Sequence, residues 1–229
     1  DLPETAREQV KTIRAKALTE QNFSQLLRAS LIEGLLCDEI SPDSFSVWQK
    51  AMEEALEKET RPVERALWHA ALGLTGSSHL SFMPTDTMSE NRAAAHLAAA
   101  LESAAVLAAT PYTDHLPLFV KGKDSRFFGN DLLHIVFRGA QEANVWDAKE
   151  SMRRRSQVIQ IYRRLHRTDA VVLLSLDSIA EAGRGESVTG KLEEDARFRA
   201  LENLLEAYET TEVSAKIVAA MTALRSSYA

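Results

Sequence analysis

The side chains in this sequence best equipped for chemistry are the arginines between Arg153 and Arg167. At about 3.6 residues per helical turn, Arg153, Arg163, Arg164 and Arg167 gather on one side of a helix through Met152 to Arg167. Val158, Ile161, Tyr162 and Leu165 fall on the other side, and Arg154 and Arg155 lie at the flanks. A guanidinium is a planar fork of donors that suits carboxylates and phosphates. The expectation is a docking face for a macromolecular partner, above all another protein with an acidic surface. The competing reading is a solvated helix face paired with local acids such as Glu150.

A second candidate runs from Phe119 to Gly129, where Lys121, Lys123 and Arg126 interleave with Phe119, Phe127 and Phe128. A glycine-containing basic loop can bind an anion or close over a ligand. The same residues also describe a packed connection whose phenylalanines anchor it to a core. The stretch lacks the G-x-x-x-x-G-K-[ST] phosphate cradle.

The six histidines (His69, His79, His96, His115, His134 and His166) are scattered and form no H-E-x-x-H or E-x-x-H pattern. Asp131 and His134 stand three apart on one helix face, where a tethering hydrogen bond is expected rather than an ion, since a stable metal site needs three or four ligands. No metal or cofactor is expected. G-x-S-x-G, C-x-x-C and G-x-G-x-x-G are all absent. The single cysteine, Cys37, cannot form an internal disulfide, and its apolar neighbours Leu35 and Leu36 predict a buried thiol.

The functional expectation is therefore a non-enzymatic interaction protein that docks a partner through the arginine face. A small-molecule sensor or carrier, holding an anionic or apolar ligand between helices, is the alternative. A third reading is a helical enzyme assembled from distant residues, marked by a cleft at His134, Asp131 or His79. Thirty-three acidic residues against 27 Lys and Arg give a net charge of −6, which argues against nucleic acid as the partner. The apolar stretches fall short of the roughly 20 residues a membrane span requires. A cytoplasmic location is expected, with a processed secreted or periplasmic protein as the alternative; the chain opens with Asp1.

The elements that must position these groups are helical throughout. Nine Gly and six Pro in 229 residues are about half the usual share, which disfavours turn-rich β folds. Thr5 to Glu8 reads as a capping box, followed by an inward stripe of Val10, Ile13, Ala17 and Leu18. Phe23, Leu26, Leu27, Leu31 and Leu35 form the next stripe. Ser41-Pro42 opens a helix with Phe45, Trp48, Met52, Ala55 and Leu56 on one side. Thr60-Arg61-Pro62 opens another, and Thr87 to Glu90 caps an alanine-rich helix reaching Ala109, which small side chains make central to the packing.

Helices follow over 131–141, 145–166, 192–208 and 213–226. A short apolar helix after Thr168-Asp169 competes with a buried strand at Ala170 to Leu174. Gly183 to Gly190 reads as a mobile loop. The predicted fold is all-α: a compact multi-helix bundle of nine or ten helices with one irregular central loop region. Its halves, 1–110 and 130–229, flank the connection 111–129 and are expected to share a core.

Overall fold

The computed structural model describes residues 2–77, 87–122, 124–182 and 190–226, apart from the side chains of 87–90 and 190–193. Among the described residues the chain is all-α, with no strand and one isolated bridge between Pro111 and Asp131. Lys123, His79 and residues 183–189 of the loop expected over 183–190 lie outside the described residues. No described helix is long and apolar enough to cross a membrane.

Among the described residues eleven α-helices form: α1 (Leu2–Thr19), α2 (Phe23–Ile40), α3 (Pro42–Lys58), α4 (Pro62–Thr75), α5 (Thr87–Glu102), α6 (Ala104–Ala109), α7 (Leu132–Ala143), α8 (Ala148–Arg164), α9 (Thr168–Ala182), α10 (Gly190–Ala207) and α11 (Ser214–Ser226). One more helix than expected arises because the alanine-rich segment breaks at Ser103. The residues Ala170 to Leu174 are helical and all buried. Two short 3-10 turns, Tyr112–His115 and Ser125–Phe128, organise the irregular connection.

The chain makes two compact units, Asp1–Arg126 with Asn130–Asp147, and Phe127–Gly129 with Ala148–Ala229. In the first, tight turns fold α1, α2 and α3 alternately up and down. Asn22 caps α2 by accepting the Gln25 N–H at 3.1 Å. Ser41 caps α3 by accepting the Ser44 N–H at 3.1 Å, with Pro42 in the first turn. One start signal differs from expectation. Helix α1 begins at Leu2, so Thr5 and Glu8 lie inside it, because Pro3 is well placed in a first turn. Helix α4 starts at Pro62 as expected, with Arg61 at the N-cap and no side-chain cap.

Two apolar stripes are also covered differently from expectation. On α1, Val10 and Ala17 are buried but Ile13 and Leu18 are exposed. On α2 the buried row is Phe23, Leu27, Ser30, Gly34 and Cys37, while Leu35 is exposed. That row alternates steps of four and three, so it is a helix face. Small residues on it admit a large neighbour: the Trp48 ring lies in the notch at Gly34 and donates its Nε1–H to the Ser30 carbonyl at 2.7 Å. The same close approach joins α4 to α5, where Gly73 faces Leu97. Leu97, Ala100 and Ala140 extend that core to α7.

In the second unit α8 packs on α9, and α9 on α10. Phe128 is buried and meets Tyr162 edge-on, with ring centroids 5.6 Å apart. The phenylalanine therefore anchors the end of the irregular connection as packing.

Candidate functional site

Much of the arginine-rich helix is satisfied by its own chain. Glu150 accepts from Arg153 Nε at 2.6 Å and from Arg154 Nε at 2.7 Å. These hydrogen bonds, Arg153 first, hold the Glu150 carboxyl down to about 2. Arg167 donates to the Phe128 carbonyl at 2.7 Å and lies over the Tyr162 ring. Arg163 and Arg164 are exposed and make no ion pair among the described residues.

Arg155 is buried instead of lying at the edge of a surface face, and it grips Glu181 through two bonds of 2.7 and 2.6 Å. Its position three and seven residues before Val158 and Tyr162 puts it on their buried row. Of the loop cations, Lys121 and Arg126 are exposed and belong to the first unit, whereas all the arginines above belong to the second.

A serine, a histidine and an aspartate do meet in the first unit, but as a structural knot. Asp131 caps α7 by accepting the His134 N–H at 2.9 Å, the tether expected from their spacing. His134 Nδ1 is 3.1 Å from the Asp131 carbonyl, and its Nε2 is 3.5 Å from Ser125 Oγ. Ser125 has no exposed surface, and its oxygen already accepts the Gly122 N–H at 2.9 Å. A nucleophile must reach its substrate and be activated by a base within hydrogen-bond distance. This serine fails the first condition, and its contact with His134 Nε2 is at the long limit of a hydrogen bond.

His69 of α4 and His96 of α5 place their Nδ1 atoms 3.0 Å apart. The ring centroids are 5.3 Å apart, so the difference is taken up by the two rings and the nitrogens meet head-on. One nitrogen must therefore carry a proton and the other a lone pair. Burial, then the partner imidazole, pushes His69 down to about 4. Burial also lowers His96, His115 and His134. Among the described residues no three His, Cys, Asp or Glu side chains converge to hold an ion.

Depressed folded values set the sign of a pH effect. The unfolded chain binds these protons near pH 6.5 and the folded chain does not, so stability is complete above that pH and falls as the pH drops towards 4. Partial exposure of His69 reduces its share to about 1–2 kcal/mol after solvent screening. Urea unfolding at pH 7.5 and pH 5 should show this loss, and His69→Asn should shrink it. Equal midpoints at the two pH values would contradict the assignment.

A groove lies elsewhere, on α1 to α4 of the first unit, with a volume of about 790 Å³. Phe23, Leu26, Met52 and Trp68 form its floor, with Ala15 and Leu18 on the α1 wall and Ala51 and Ala55 on the α3 wall. Four cations (Lys11, Arg14, Lys58 and Arg61) line it against two carboxylates, Glu54 and Glu59. Arg61 is locked into a fork on Glu59, with bonds of 2.9 and 2.8 Å, which lowers the Glu59 carboxyl.

Glu33 is buried beneath α1 and pairs with Arg14 at 2.9 Å and with Arg7 at 3.9 Å. Cys37 is fully buried as expected, and burial pushes its thiol up. Sequence reasoning missed this groove. Its signal was present in Leu18, which belongs to the α1 stripe yet stays exposed. These features define an all-α protein with an apolar, cation-rimmed groove between its first four helices. Comparison with protein-family models, curated proteins and solved structures gives no significant match.

Proposed function

We propose that the protein is a carrier or sensor of small molecules and that the α1–α4 groove is its binding site. The observation that carries this reading is the groove's combination of size, apolar floor and positive rim. Its volume falls in the range of about 300–1,000 Å³ usual for ligand sites, which are mostly apolar with a few polar groups. Four lining cations against two carboxylates run counter to the chain's net −6 and favour an anionic or neutral apolar guest.

Exposed Arg163 and Arg164 support a second reading, docking of an acidic protein surface on α8. One pair of variants separates the two. A ligand at about one hundred times its dissociation constant stabilises by about 2.7 kcal/mol, which raises Tm by roughly 5–10 °C in a chain of this size. A thermal-shift screen of small carboxylates and neutral apolar compounds should give such a shift. Ala55→Trp, which fills the groove, should abolish it, and Arg163→Glu/Arg164→Glu should leave it intact.

Absence of any shift, or a shift indifferent to Ala55→Trp, would rule out the carrier reading. For the docking reading, salt-sensitive retention on immobilised polyglutamate should disappear in the arginine double variant. Unchanged retention would remove it.

A further inference from the structure

The two walls of the groove carry different charge. Lys11 and Arg14 belong to α1. Across the groove, α3 and the residues that follow it supply Glu54 and Glu59 with Lys58 and Arg61, and Arg61 is engaged by Glu59 and by Glu64 at 3.2 Å.

On the α1 wall Lys11 and Arg14 line the groove with no carboxylate beside them in the lining. Lys11 pairs with the exposed Glu8, at 2.7 Å, an arrangement worth little in water. Arg14 pairs through Nη1 with Glu33 from below, a contact that uses one nitrogen of its fork. Both side chains are more than a third exposed, and they stand three residues apart on one helix face. From Lys11 to Leu18 the α1 wall is about 10 Å long, and beyond its two cations it offers only apolar surface.

We propose that the groove takes a compact amphiphilic monocarboxylate, its head clamped by Lys11 and Arg14 and its apolar body laid over Ala15, Leu18, Met52 and Ala55. The assignment rests on the reading of the groove as a ligand site and adds the ligand's class and direction. Two cations facing one small anion satisfy both of its oxygens. The α3 side, balanced in charge, has no surplus to offer a second head.

Isothermal titration with decanoate, 1-decanol and decylammonium tests both levels separately. Decanoate should bind the native chain about tenfold more tightly than decanol, and decylammonium should not bind measurably. Lys11→Glu should weaken decanoate about tenfold and leave decanol unchanged. Arg14→Lys keeps the Glu33 pair and should cost severalfold. Lys50→Glu, outside the groove lining, should leave decanoate within twofold, and Lys58→Glu should cost less than Lys11→Glu.

Equal binding of decanoate and decanol, or a loss on Lys58→Glu in place of Lys11→Glu, would overturn the head-group assignment while the groove reading stood. Failure of both decanoate and decanol to bind, or binding indifferent to Ala55→Trp, would overturn the groove reading and this proposal with it. Circular dichroism of Lys11→Glu secures the comparison, since the ion pair it removes is a surface one.

Discussion

Gly34→Ala lowers the stability of the first unit by about 2–3 kcal/mol, and its sign alone is diagnostic. A helix-interior glycine replaced by alanine should gain up to about 1 kcal/mol from propensity. Here the added Cβ would lie 2.5, 2.6 and 2.8 Å from three Trp48 ring atoms. The ring cannot retreat cheaply, because it is buried and its Nε1–H is held by the Ser30 carbonyl. Thermal unfolding should therefore show a fall of roughly 5–10 °C. In a Trp48→Leu background the same change should cost far less, since the two residues touch and their effects do not add. A native-like or raised Tm for Gly34→Ala would disprove the notch.

Glu181→Gln destabilises the second unit by about 2 kcal/mol. Arg155 is buried, and its two bonds to Glu181 oxygens balance its charge. Removing one partner of a buried pair leaves an uncompensated ion, at a cost of about 3–5 kcal/mol when both groups are fully enclosed. The Glu181 side chain is 43% exposed, so water can replace part of the lost interaction and the lower figure applies. Arg155→Met with Glu181→Leu should recover most of the loss, because neither charge then has to be buried. Urea unfolding reads both effects. A Glu181→Gln midpoint equal to the native one would show that the pair contributes nothing.

These two residues show where sequence patterning carries and where it stops. Arg155 shares a helical row with Val158 and Tyr162, so its burial was legible from spacing. It was obscured by residue type, since arginines are mostly exposed. Gly34 belongs to a row in which Ser30 and Gly34 interrupt the apolar residues, so hydropathy does not mark the notch. What fills that row is a tryptophan from the next helix, and no local pattern states which ring will enter which notch. The groove is the converse case. Leu18 completes an apolar stripe on α1, yet coverage depends on α3 lying across α2 without closing against α1.

By itself the sequence determined the helices. The period of the apolar residues, the Ser41 and Asp131 caps and the stop at Thr110-Pro111 are local features, set by hydrogen bonding and sterics within a few residues. Only the tertiary structure decided which faces are covered, which arginines are spent on their own chain and where the concavity lies. Those outcomes depend on the packing of side chains distant in sequence. Close packing is a property of the whole arrangement, not of any one helix.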